Sequence, residues 1–247
     1  MLLLLTAAIL GSDLLEARIG LRCETGEAYL GQGLLEEAES EFREALELDS
    51  ACARAMLGLG LAYCRREAWV PAESWLDRYL ALEPDDPGGR MAMATLLMST
   101  SRPEEAVPHA SMAAAASDGD GGAWLLYGRA CALSGDTVEA MRALGLASGI
   151  PGDASSDAMT DLAVILLARG ALEEAEGLLS RAAGRDHPRA CFRLGMLYAS
   201  WGDFVRGASL LGRSLELEPG GPCADSARLV LDEMAATGRH LAPGDGD

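Results

Sequence analysis

The sequence contains neither lysine nor asparagine: all 20 basic residues among its 247 are arginines, set against 38 aspartates and glutamates. The formal charge of -18 leaves no cationic excess for phosphates, which argues against nucleic acid or an anionic membrane surface as the main partner. Without lysine there is no glycine-rich loop ending in Lys-Ser/Thr to cradle a nucleotide phosphate. Histidine is scarce, with three residues. His109 follows Pro108 inside a helix, His240 sits near the end of the sequence, and His187 lies four residues before Cys191 with Pro188 between them. Pro188 reads as a helix start, and no third residue is placed to orient a Cys–His pair, so no catalytic residue is assigned and the chain is not expected to be an enzyme. The six cysteines (Cys23, Cys52, Cys64, Cys131, Cys191 and Cys223) are scattered singly with no CxxC pair. Neither a metal site nor a disulfide framework is expected from them, no cofactor is implied, and reduced cysteines suit a cytoplasmic protein.

Long apolar runs are missing too. Met1 to Leu10 is apolar, but it is about half the roughly 20 residues that a membrane span requires. It also lacks the basic flank of a secretory signal, since the first positive charge is Arg18. The segment 1–18 is expected to pack as a capping helix on the first repeat, with anchoring as the alternative.

What the sequence has is periodicity. Alanines recur at Ala38, Ala72, Ala106 and Ala140 at intervals of 34 residues, continuing at Ala175 and Gly207 after 35 and 32. A second series of small residues runs through Gly26, Gly60, Ala94, Gly128, Ala163 and Gly195. A small residue on each of two antiparallel helices lets their axes approach closely, and bulky side chains such as Leu59, Tyr63 and Leu76 fill the space around the crossing. Turns are expected at Gly33, Gly135, Gly170 and Gly202, and breaks between units at Pro84 with Pro87, at SDGDGG, at the PGD run from Pro151 and at Pro219 with Gly220. Glu36, Glu37, Glu39, Glu41 and Glu44 crowd one second helix and read as its solvated face.

These residues resemble the tetratricopeptide repeat family. The first unit carries Gly26, Tyr29, Ala38, Phe42 and Ala45, and the second Leu59, Gly60, Tyr63, Ala72 and Pro84. The fourth carries Trp124, Gly128, Ala140 and Ala147, and the sixth Leu194, Gly195, Tyr198, Leu211 and Pro219, with Gly207 where alanine is usual. The third and fifth match more weakly. The resemblance implies an all-α fold, a right-handed α-solenoid of stacked antiparallel helix pairs. Its six repeats are 19–52, 53–86, 87–120, 121–155, 156–187 and 188–221, followed by a C-terminal capping helix at 222–238 and a flexible tail at 239–247.

In this family the first helices of successive repeats line the partner-binding surface. Carried over, that implies a groove formed by Arg54, Leu57, Leu61, Arg65, Met91, Leu125, Arg129, Leu133, Val164, Arg189, Phe192 and Met196. The first unit would add Cys23, Glu27 and Leu30, and the others Cys64, Thr95, Met98, Ser99, Thr160 and Leu167. Read this way, the groove is apolar, studded with arginine and nearly free of acid, suited to an apolar or amphipathic segment of a partner protein with acidic groups. The lysine–asparagine clamp of members that bind chaperone C-termini is impossible here. The expected function is a non-catalytic interaction scaffold or adaptor in the cytoplasm. The alternative is an assembly factor of a bacterial cell-envelope machine, a pilus or secretion system, membrane-associated or periplasmic. Self-association remains open in either reading.

Overall fold

The computed structural model describes residues 2–117 and 119–236, with residues 2–12 given as backbone only. Among the described residues there are thirteen helices and no strands. They divide into two compact units, Met1–Asp118 and Gly119–Asp247. In the first, α1 (Leu2–Gln32) pairs with α2 (Leu35–Leu48), α3 (Ala53–Arg65) with α4 (Trp69–Leu82), and α5 (Pro87–Ser99) with α6 (Pro103–Ala116). In the second, α7 (Gly121–Ser134) pairs with α8 (Thr137–Gly149), α9 (Asp153–Ala168) with α10 (Leu172–Ala183), and α11 (Pro188–Ser200) with α12 (Phe204–Leu217). Helix α13 (Ala224–Ala236) then packs on α12, burying Ala227 and Met234.

The first members of successive pairs also touch: α1 meets α3 and α3 meets α5 in one unit, while α7 meets α9 and α9 meets α11 in the other. Within each unit the first helices therefore share a face, the arrangement of an α-solenoid built from stacked helix hairpins.

Small residues hold the pairs close. A β-carbon on Gly128 would stand 2.7 Å from Leu144 Cγ and 3.1 Å from the Leu144 backbone nitrogen. On Gly195 it would lie 3.0 Å from Leu211 Cγ and 3.1 Å from the Gly207 carbonyl oxygen. Each of these leucines is almost fully buried and fills the space that the facing glycine leaves. Ala38, Ala72, Ala106, Ala140 and Ala175 on the second helices are all fully buried.

The turn inside each pair also repeats. Gly33, Glu67, Ser101, Gly135, Gly170 and Gly202 all have positive φ, between 57° and 89°. Glycine supplies this conformation without strain at four positions; Glu67 and Ser101 adopt it against the steric preference of their β-carbons, and both are exposed.

Two element boundaries differ from a direct reading of the sequence. Helix α1 runs unbroken through Gly11, Ser12 and Asp13, so residues 2–18 and the first repeat's opening helix are one element. Helix α9 starts at Asp153, ahead of the expected boundary at 156, because its N-cap falls on Gly152 directly after Pro151. The packing of Met1 to Leu10 and the course of the tail from 239 lie outside the described residues.

Two glycines of the second unit give a paired test. Gly128→Ala places a methyl against the Leu144 backbone, which cannot rotate away, and is expected to destabilise by about 1–2 kcal/mol after allowing for alanine's helix preference. Gly145, inside α8, has open space where a β-carbon would go, so Gly145→Ala should stabilise by about 0.5–1 kcal/mol. Urea titrations of both variants, followed by circular dichroism, should give shifts of opposite sign.

Candidate binding face and its arginine braces

The face shared by α3 and α5 carries a shallow hollow of ≈ 340 Å³ lined by Leu61, Cys64, Gly88, Met91, Ala92 and Thr95. It offers little free hydrogen-bonding capacity. The Thr95 hydroxyl donates to the Met91 carbonyl at 2.8 Å, and the neighbouring Ser99 hydroxyl donates to the Thr95 carbonyl at 2.8 Å. Burial pushes the Cys64 thiol pKa up, keeping that side chain a neutral apolar group. Leu57, Leu61 and Met91 are half-buried, the exposure expected of side chains that pack on their own helix and keep an open edge.

Other sequence-predicted residues fall into different surroundings. Leu133 is 61% exposed and Met196 is 37% exposed, while Val164 is half-buried. Leu125 and Phe192 are corrections: at 7% and 8% exposure both belong to the core. Leu125 packs with Leu144, Ala147 and Ala158, and Phe192 with Leu211, Ala227 and Met234 beneath α13. Both are packed between helices and offer little surface to a ligand.

The arginines are the larger correction. The sequence suggests guanidiniums free to grip a ligand carboxylate on a face with almost no acid. Each is instead engaged within the chain. Arg54 forks onto Glu27 of α1, with both N–O distances 2.6 Å. Arg65 donates from Nη1 to the Leu30 carbonyl, also on α1. In the second unit Arg129 of α7 donates to Asp161 at 2.6 Å and lies 3.3 Å from Asp157, both on α9. Arg189 of α11 reaches the same two carboxylates at 2.8 and 2.7 Å. Two carboxylates one helical turn apart on α9 thus neutralise one arginine from each neighbouring first helix.

His187 completes the group. As the N-cap of α11, it accepts the Ala190 backbone N–H at Nδ1 (3.3 Å), which leaves Nε2 to carry the proton 3.4 Å from Asp157. The hydrogen bond from His187, with the nearby charges of Arg129 and Arg189, holds the Asp157 carboxyl down at a pKa of about 2. Thr160, fully buried beside it, donates to the Ser156 carbonyl at 2.7 Å. The braces join α1 to α3 in the first unit, and α7 to α9 and α9 to α11 in the second.

Sequence reasoning missed Asp157 and Asp161 although a signal was available. Paired groups stand 27 to 32 residues apart, a little less than one repeat, which puts them on adjacent first helices at nearly the same level. The remaining histidine among the described residues, His109, has its Nδ1 3.1 Å from Arg90 Nη1. Burial first, and the Arg90 charge second, lower its pKa. Among the described residues no three histidine, cysteine, aspartate or glutamate side chains gather as metal ligands, and no helix is long and apolar enough to cross a membrane.

Asp161, with a side chain 16% exposed, is the better-covered of the two bridging acids. Asp161→Ala leaves two half-buried guanidiniums to share Asp157, and the expected loss is about 1 kcal/mol in a denaturant titration at pH 7. Asp157 yields a pH test. Its folded pKa lies below the ordinary 3.8, so its stabilisation is complete above about pH 4 and is lost as pH falls through about 2. Between those limits the wild type should lose more stability than Asp157→Asn.

The comparisons with known proteins agree with this architecture. The tetratricopeptide repeat family profile matches residues 23–87 and 91–154, together just over half of the chain. No curated protein matches the sequence. PilF of Pseudomonas aeruginosa superposes with a TM-score of 0.74 at 18% identity, over 90% of this chain and 99% of that one. PilW, a widely conserved type IV pilus biogenesis factor, gives 0.71 at 16% identity, over 85% and 98%. YrrB, a repeat protein with an unusual peptide-binding site, gives 0.50 at 19% identity, over 84% and 90%. At such identities these structures share a fold with the chain. With helix hairpins stacked at a 34-residue period and a profile match over more than half its length, the chain belongs to the tetratricopeptide repeat family.

Proposed function

We propose that the chain is a non-catalytic protein-interaction scaffold that holds an apolar or amphipathic segment of a partner against the first-helix face, centred on the hollow between α3 and α5. The observation that carries this reading is the hollow itself: apolar, edged by Leu61 and Met91, the proton of its Thr95 hydroxyl already donated to Met91, beside arginines of α3 committed to bracing. A site without free charge takes its affinity from buried apolar area and is weakly sensitive to salt. The acidic groups expected of the partner lose their basis, because Arg54, Arg65, Arg129 and Arg189 already have partners within the chain.

A second reading makes the chain an assembly factor of a cell-envelope machine such as a pilus, associated with the membrane through residues 1–10. The fold likeness to PilF and PilW and the apolar composition of that segment support it. Under this reading untagged protein sediments with the membrane fraction of its native cells; under the first it stays in the supernatant as a cytoplasmic adaptor.

To test the docking site, a peptide selected from a display library against the full chain is titrated calorimetrically into wild type and variants. Leu61→Glu and Met91→Glu should each weaken binding by about tenfold or more. Trp201→Ala, in the separate hollow beside the α9–α10 turn, should leave it unchanged. Affinity that survives both glutamates but falls with Trp201→Ala would move the site to that hollow. Circular dichroism checks that each variant is folded.

A further inference from the structure

Cys23 and Cys52 look unrelated in the sequence, 29 residues apart and at opposite ends of the first repeat. The fold brings their sulfurs to 3.7 Å. Cys23 sits on α1, almost completely buried at 1% exposure, and Cys52 is half-buried at the N-cap of α3. Cys191, by contrast, faces the Ala183 carbonyl at 4.0 Å.

We infer that Cys23 and Cys52 form a reversible dithiol–disulfide site that staples α1 to α3 when the chain meets a small-molecule disulfide oxidant. A disulfide requires the sulfurs to close to about 2.05 Å. Cys52 can supply that movement. It ends the short connection between α2 and α3, its side chain makes no capping hydrogen bond, and its backbone is held by single bonds to Asp49 and Met56 at 3.0 and 3.2 Å.

The chemistry is thiol–disulfide exchange. Cys52, the sulfur reachable from solvent, attacks as thiolate on one sulfur of the oxidant. The oxidant's S–S bond breaks, one of its halves leaves as thiolate, and a mixed disulfide forms on Cys52. Cys23 then gives up its proton to solvent and attacks the Cys52 sulfur, expelling the second half. Two protein thiols are oxidised to one disulfide, and one oxidant disulfide is reduced to two thiols. Burial, with the hydrogen bond to Cys52, pushes the Cys23 thiol up to about 12, so Cys23 is the slow, resolving partner. The bond would lie beside the Arg54–Glu27 fork, which joins the same two helices. Oxidation would thus fix the N-terminal edge of the first-helix face covalently.

The test uses the purified full chain incubated with oxidised glutathione, then alkylated, digested and analysed by mass spectrometry. The intact chain, weighed before alkylation, is expected to be about 2 Da lighter than the reduced chain, and the digest to hold a peptide pair joined through Cys23 and Cys52. Free thiols in denaturant fall from six to four, and the thermal midpoint rises by about 5 °C. Cys23→Ser should instead retain glutathione on Cys52, because the resolving thiol is gone. A stable glutathione adduct on Cys52 of the wild type, crosslinks among other cysteines, or six free thiols after incubation would each overturn the inference. The folded state of both forms is followed by circular dichroism, so a fall in thermal midpoint on crosslinking also counts against a staple that fits the native geometry.

Discussion

At Gly195 and Gly207 two helix backbones approach so closely that a β-carbon on either would lie 3.1 Å from the other's carbonyl oxygen. Such proximity is possible only where both helices offer small residues. Where only one helix offers a glycine, a leucine of its partner fills the space, as Leu144 does against Gly128 and Leu76 against Gly60. The rest of the structure hangs on this spacing. Because the hairpins are thin, their leucines and tyrosines reach the next hairpin, and stacking buries apolar surface that no single pair could cover. First helices then fall side by side within each unit, creating in the first the face that carries the hollow and in the second the face that carries the Asp157 and Asp161 braces.

The charges on that face serve the scaffold before they serve a ligand. A guanidinium on one first helix takes a carboxylate or carbonyl from its neighbour, and the second unit links three helices through Asp157 and Asp161. Half-exposed pairs of this kind contribute modest stability, but bidentate geometry fixes distance and angle. The outcome within each unit is a set of first helices tied by internal ion pairs, carried on a chain whose charge of -18 opposes aggregation. This commitment of polar groups within the chain is what supports the proposed docking of an apolar segment.

The fold was legible because its controlling residues are small and repeat at a fixed interval. Ala38 through Gly207 could be placed on facing helices from their spacing alone. Left-handed turns could be read at Gly33, Gly135, Gly170 and Gly202, where glycine announces them. At Glu67 and Ser101 the repeat imposes the same conformation on residues that do not advertise it. The candidate face was legible as a set of helices but not as a set of free side chains. Whether Leu125 or Phe192 lies in a groove or in the core depends on the tilt of the next hairpin, which periodicity does not encode. Arginine pairing and the meeting of Cys23 with Cys52 depend on side chains about one repeat apart converging in space, and local sequence carries only a faint trace of that.

Amide hydrogen exchange on the chain alone and saturated with its selected peptide tests the central claim most directly. Docking on the first-helix face predicts slowed exchange across α3 and α5, concentrated around residues 57–65 and 88–98, with α4 and α6 unchanged. Protection confined to the second helices α4 and α6, or to the α9–α10 turn beside Trp201, would contradict it and place the working surface elsewhere.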